Sequence, residues 1–254
     1  MNDANVDMNQ MRRHVDSHPF PLVFATISGA HLYGFPSGDS DFDLRGTHVL
    51  PLETVVGLSG GRQTVEKEGI YDGLEIDLVT HDIEKFFRLM LRRNGYVLEQ
   101  IFSPLVVSET PEFEELKSIA TQCITKHHAH HYMGFASTQW KLFSKEPEPR
   151  VKPLLYTFRV LQTGIHLMRS GRIEANLQVL NQRAQLPYIE ELLTLKREGA
   201  EKAVLEEPRL EFYQSEFERQ MRELEEAYAG SQLRENTQAK PALNDLLVRL
   251  RLGK

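Results

Sequence analysis

The sequence predicts an α+β chain in two parts, a sheet-bearing part over residues 1–105 and a helical part over 106–254. Three observations carry that expectation. Short runs rich in β-branched and aromatic residues, bounded by Gly and Pro, recur before Ser103-Pro104. From Pro111 onward the apolar residues recur mostly at helical spacing, interrupted at Pro147, Pro149, Gly171, Pro187 and Pro208. No repeat of fixed period and no low-complexity segment breaks this division.

Taken in order, Met8 to His18 is expected to form a short helix. Pro21 to Ile27 follows as a buried strand, since Leu22-Val23-Phe24-Ala25-Thr26-Ile27 is apolar and closed by Ser28-Gly29. Gly34 to Ser40 is punctuated by Gly34, Pro36 and Gly38 and reads as a turn. A second strand is expected over Phe42–Leu50 and a third over Gly73–Thr80. From Asp82 the residues Ile83, Phe86, Phe87, Met90 and Leu91 share one helical face, so the third strand feeds a helix.

Composition narrows the function. With 254 residues, 41% of them hydrophobic and a net charge of −6, the chain has enough apolar material for a core and no overall field favouring nucleic acid. No apolar run reaches the roughly 18 residues of a membrane span. Met1-Asn2-Asp3-Ala4 lacks a basic n-region, so no secretory leader is expected. The single cysteine, Cys123, can form neither an internal disulfide nor a cysteine-based metal site. It is expected as a small core residue in a reducing, cytoplasmic compartment. Charge is uneven along the chain: Gln139–Arg172 holds seven bases against two acids, whereas Glu201–Ala229 holds four bases against nine acids.

The chemistry is concentrated between Ser28 and Asp77. Successive strand side chains point to opposite faces, so Asp41 and Asp43 share one face and Phe42 and Leu44 the other. Adjacent carboxylates repel and need a cation between them, and Mg²⁺ takes such oxygen donors together with substrate phosphates. Glu75-Ile76-Asp77-Leu78 repeats the arrangement. Two acid-bearing strands side by side could hold two metals for in-line phosphoryl displacement. Upstream, Gly29 closes a strand and opens a turn whose backbone amides could cradle phosphate. Phosphate site and metal site together point to nucleoside triphosphate chemistry.

Ser28-Gly29-Ala30-His31-Leu32-Tyr33-Gly34 followed by Ser40-Asp41-Phe42-Asp43-Leu44-Arg45-Gly46 resembles the DNA polymerase β-type nucleotidyltransferases. More narrowly, the chain is similar to the bacterial nucleotidyltransferases associated with RNA repair. Asp77–Asp82, Asn94–Glu99 and Ala242–Leu247 share that likeness. The strong motifs cover about residues 20–105. The resemblance implies a mixed β-sheet catalytic domain followed by a helical domain. It implies that Asp41 and Asp43 bind two Mg²⁺ (or Mn²⁺) ions and the triphosphate, with Asp77 as third carboxylate. It also implies that Gly29 and Ala30 line a phosphate-binding turn, and Ser28, Ser40 and Arg45 are further nucleotide-binding candidates beside it. The family usually places Gly-Ser at this turn, whereas here Ala30 follows Gly29 and the serine is Ser28. The expected reaction is attack of a hydroxyl on the α-phosphorus of an NTP, the acceptor being an RNA end, with a protein or a small molecule as alternatives. Nucleotide identity, template dependence and oligomeric state are left open.

Other features carry competing readings. Glu75 is either a partner of the metal ligands or a solvated strand residue, and Arg45 either contacts phosphate or forms a structural salt bridge, the second being favoured. Lys152, Tyr156 and Arg159 form an i, i+4, i+7 stripe that either faces the nucleotide or is an ordinary amphipathic face. His127, His130 and His131 share nearly one helical face and could bind zinc or RNA phosphates, although no cysteine supports a zinc site. Trp140 and Phe143 are expected in the core. The rival to an enzyme is a non-catalytic nucleotide-binding partner or antitoxin. Ala30 favours it, and the intact Asp41, Asp43 and Asp77 set argues against it.

Overall fold

A computed structural model describes residues 8–58, 60–199, 205 and 209–253. Met1–Ala4, Pro208 and part of the acidic Glu201–Ala229 stretch lie outside the described residues. In chain order the elements are α1 (Met8–Asp16), β1 (Leu22–Ile27), α2 (Gly29–Tyr33), β2 (Phe42–His48), α3 (Leu52–Val56), β3 (Thr64–Tyr71) and β4 (Leu74–Asp82). They continue as α4 (Ile83–Leu91), α5 (Gly95–Ile101), β5 (Val106–Glu109), α6 (Pro111–Cys123), α7 (His128–Lys145) and α8 (Val151–Ser170). The last are α9 (Leu177–Ala184), α10 (Pro187–Glu198), α11 (Leu210–Gly230) and α12 (Lys240–Leu252). Among the described residues no helix is long and apolar enough to cross a membrane.

The chain forms two compact units. The first contains residues 1–29, 41–123 and 236–254, and the second contains 30–40 and 124–235. Unit 1 is built on a mixed sheet of order β3-β4-β2-β1-β5, in which β2 and β4 run parallel and the other pairs antiparallel. Alternation sorts its faces. Phe42, Leu44, Ile76 and Leu78 join Ala25, Ile27 and Val107 under Met11 and Val15 of α1. On the opposite face Phe24 stacks on Phe113 of α6, with ring centroids 4.4 Å apart, and meets Phe86 of α4 edge-on.

Two strands escaped the sequence reading. Thr64–Tyr71 alternates only weakly and lies exposed at the sheet edge, so it carries little of the apolar signal by which buried strands announce themselves. Val106–Glu109 is a four-residue edge strand, too short for periodicity to identify. The strand expected over Gly73–Thr80 is therefore the fourth, and it runs on to Asp82, whose carboxylate caps α4 by accepting the Glu84 N–H. The second strand stops at His48, short of Pro51. Cys123 is buried as expected, and burial pushes its thiol up to about 11.

Unit 2 centres on α8, which runs beside α7 and also packs against α9, α10 and α11. The segment 30–40 packs with this unit. Gln178 at the start of α9 donates to the Gly34 carbonyl, and the rings of Tyr33 and Phe35 meet Tyr156 of α8 edge-on.

Unit 1 carries a pH-sensitive polar cluster. The His48 ring, wholly buried, hydrogen-bonds through Nδ1 to Thr80 Oγ1, which also meets His18 Nε2. Burial, reinforced by His18, holds His48 down to about 4, while Asp82 pulls it upward and His81 and Arg251 oppose protonation. His81 is likewise held down to about 4, by burial and then Lys85. Below about pH 6.5 an unfolded chain binds protons at these rings that the native chain refuses until about pH 4. Stability contributed by the neutral rings is thus complete above pH 6.5 and is lost as pH falls toward 4. Calorimetry at pH 7.5 and pH 5.0 should show unit 1 destabilised at the lower pH, with His48 contributing on the order of 1–2 kcal/mol. The His48→Gln variant should show a smaller decline. An equal decline in the variant would refute the assignment to His48.

Candidate active site

Asp43 and Asp77 are brought opposite one another by strand register. β2 and β4 pair in parallel with Asp43 aligned to Asp77, Phe42 to Ile76 and Leu44 to Leu78. Both apolar pairs lie on the α1 side, so both half-buried carboxylates project from the other face. Asp41 precedes β2 by one residue and is half-buried, while Glu75 on β4 is exposed. Among the described residues no three His, Cys, Asp or Glu side chains are gathered closely enough to hold a metal ion. The fold assembles the Asp43–Asp77 pair, and Asp41 adjoins it in sequence.

A cation already bridges that pair. Arg45 Nη2 lies 2.5 Å from Asp43 Oδ1 and 2.7 Å from Asp77 Oδ2. Its Nη1 donates to the backbone carbonyls of Leu44 and Asp77, and its Nε donates to the Tyr96 hydroxyl at 3.0 Å. Asn94 caps α5 by accepting the Tyr96 N–H, which seats that tyrosine at the helix start. Although burial opposes the charge, Tyr96, Asp43 and Asp77 together raise the guanidinium above its ordinary value. The salt-bridge reading of Arg45 is what the geometry displays.

The turn before the acid pair is built against it. The Ser28 N–H donates to the Asp43 carbonyl at 2.8 Å. Gly29 follows with φ of +60°, and a Cβ placed there would lie 1.8 Å from Asp43 Oδ2. Glycine is required twice over, by backbone handedness and by the approach of the carboxylate. The Ser28 hydroxyl is fully buried and finds no hydrogen-bond partner among the described residues. An orphaned hydroxyl beside two facing carboxylates suits a polar ligand, and oxygen-only donors suit a hard divalent ion. Replacing Gly29 by Ala should swing Asp43 out of place. We expect a loss of roughly 1–3 kcal/mol in unit 1 from the strained backbone and the collision. A crystal structure of the variant with Asp43 unmoved would contradict this.

The remaining sequence-predicted residues lie in unit 2. Ala30 is buried and its carbonyl accepts the Phe35 N–H. Ser40 Oγ accepts the Ser37 N–H and lies 3.0 Å from Ser37 Oγ. Lys152 and Arg159 stand on α8 with Tyr156, and the Arg159 guanidinium, only 2% exposed, stacks on the Tyr33 ring at 3.8 Å. Tyr156 and Arg159 of the stripe thus pack against segment 30–40, and Lys152 Nζ lies 6.0 Å from the centroid of the Tyr156 ring. The basic stretch 139–172 is not one solvated face either, since Arg159 is buried, Arg150 pairs with Glu146 and Arg169 pairs with Glu223.

Sequence reasoning missed Lys196. It occupies the i+7 position of the buried stripe Ile189, Leu192, Leu193 on α10, is itself wholly buried, and donates to Ser37 Oγ at 2.6 Å. A lysine on an apolar helix face was the signal available for it. The histidines separate: His127 and His130 stack together beside Tyr228, whereas His131 meets Tyr132 and is held down to about 4 by burial and Arg159. Phe143 is core, and Trp140, half-buried, stacks on Phe217.

A model of the RNA repair pathway DNA polymerase beta family matches residues 4–249. An uncharacterized protein of Methanocaldococcus jannaschii is 33% identical over 156 residues, covering 61% of this chain. The match spans 63% of that relative's length, a little under two thirds. The uncharacterized protein YcgL of Bacillus subtilis is 27% identical over 202 residues, 76% of each chain. Among solved structures, a nucleotidyltransferase-like protein from Exiguobacterium sibiricum is 13% identical and aligns with a TM-score of 0.34, covering 87% of this chain and 74% of that one.

Proposed function

The chain belongs to the RNA repair pathway DNA polymerase beta family, and from that premise we propose that it is a metal-dependent nucleotidyltransferase acting on an RNA end. The observation that carries the reading is the parallel register placing Asp43 opposite Asp77, with Gly29 pressed against the Asp43 carboxylate. Two carboxylates sharing one guanidinium keep a net negative charge on this face, beside a buried Ser28 hydroxyl with no partner among the described residues, and that combination suits a nucleotide site that takes divalent ions.

In this reading the Asp43–Asp77 pair, with Asp41 next to it in sequence, would hold divalent ions, Mg²⁺ or Mn²⁺, which when bound would neutralise charge on the triphosphate and the attacking oxygen. The backbone amide of Gly29 would orient phosphate oxygens, the Ser28 amide being committed to Asp43. The acceptor hydroxyl forms a bond to the α-phosphorus as the bond to pyrophosphate breaks, and the hydroxyl proton passes to water. Catalysis is mainly positioning and charge neutralisation. The RNA acceptor is supported by the family's description alone, since the basic stretch on α7 and α8 is partly buried and paired.

The test is transfer of label from each α-³²P NTP, with Mg²⁺ or Mn²⁺, into a pool of RNA ends, beside an Asp41→Ala/Asp43→Ala control. Metal-dependent label in RNA that the control lacks supports the proposal and identifies the nucleotide. Label in protein or in a small molecule keeps the chemistry and changes the acceptor. Nucleotide binding with no label in any acceptor overturns it in favour of a binding protein.

A further inference from the structure

Arg45 has five N–H donors, and all five are used. Nε donates to Tyr96 Oη at 3.0 Å, Nη1 to Leu44 O at 2.9 Å and Asp77 O at 2.6 Å, and Nη2 to Asp43 Oδ1 at 2.5 Å and Asp77 Oδ2 at 2.7 Å. The side chain is 12% exposed. A guanidinium so saturated has no donor left for a phosphate. Strands in register place two carboxylates about 5 Å apart in a half-buried setting, where their repulsion is poorly screened. The planar fork suits two carboxylates and two carbonyls at once, which a lysine ammonium cannot match.

We propose that Arg45 is a resident counter-cation, which keeps the Asp43–Asp77 pair assembled and aligned before any divalent ion arrives. It is a positioning residue and does not touch nucleotide. The inference rests on the reading that this pair accepts divalent ions. It adds that the site's first cation is supplied by the chain, so the acid pair does not depend on metal for its stability. Without Arg45 the same pair should become dependent on metal.

The experiment is thermal unfolding of the full chain in chelator and across a Mn²⁺ titration, for wild type, Arg45→Met, Arg45→Lys and the Asp43→Asn/Asp77→Asn double variant. Arg45→Met is expected to melt lower than wild type in chelator and to gain a Mn²⁺-induced rise at least threefold larger. Arg45→Lys should fall between them, and the double variant should show no rise. If Arg45→Met fails to fold in chelator, recovery of its circular dichroism on adding Mn²⁺ is the same result, and no recovery overturns the inference. Equal Mn²⁺-induced rises in wild type and Arg45→Met, absent from the double variant, overturn it while leaving the metal reading intact. No rise in wild type or in Arg45→Met overturns both.

Discussion

Asp43→Asn and Asp77→Asn should each reduce nucleotidyl transfer by roughly 10²–10³-fold, the order of loss when one electrostatic support of a transition state is removed, since each would weaken the hold on the ions that offset phosphate charge. The two substitutions are nearly isosteric and lie on neighbouring strands whose apolar partners, Phe42, Leu44, Ile76 and Leu78, are untouched. The sheet should therefore persist. Arg45 keeps its Tyr96 and main-chain acceptors in either variant, so the loss of stability should be modest beside the loss of rate. The measurement is initial rate at saturating NTP and metal, with melting temperature read on the same samples. A variant that melts like wild type and retains more than a tenth of its rate would exclude the residue from the catalytic set. Because the two carboxylates share Arg45, the double variant should lose less than the product of the single losses.

Arg251→Met should destabilise unit 1 by about 3–5 kcal/mol, the cost of leaving a buried charge without its partner. Asp82 is completely buried. Its carboxylate accepts from Arg251 Nη2 at 2.5 Å, from the Leu50 N–H and from the Glu84 N–H that begins α4. Arg251 on α12 also donates to the Leu50 carbonyl, which ties the last helix to the end of β4 and to the chain before α3. Methionine keeps the volume and removes the charge, so Asp82 must either stay ionised without its cation or take up a proton. A fall of roughly 10 °C in melting temperature follows at this chain length. Adding Asp82→Asn to Arg251→Met should recover part of the loss, because the unpaired charge is gone. A fall below 2 °C in Arg251→Met would show that water reaches Asp82 and that the pair is dispensable.

The acid-bearing strands were legible because strand alternation is a property of the backbone. Asp41-Phe42-Asp43-Leu44 and Glu75-Ile76-Asp77-Leu78 state in their order which residues face the core, and the core contains Phe42, Leu44, Ile76 and Leu78. The helix after Asp82 was legible for the same reason, its apolar residues recurring at the helical period. Family membership was legible through the resemblance carried by Ser28–Gly34 and Ser40–Gly46, which the match over residues 4–249 bears out.

Tertiary structure alone decided which strands pair and in what register. Nothing local to Asp43 states that Asp77 lies opposite, that the two run parallel, or that Gly29 must lack a Cβ to make room for a carboxylate. Arg45 was readable as a charge near acids, but its five-way saturation needs Tyr96 from α5 and a carbonyl from β4. Lys196 with Ser37 and Arg251 with Asp82 join residues more than 150 positions apart. Such contacts are selected by packing across the whole chain. Periodicity reports only what a segment's own backbone imposes, so the sequence determined the faces and the tertiary fold decided what meets across them.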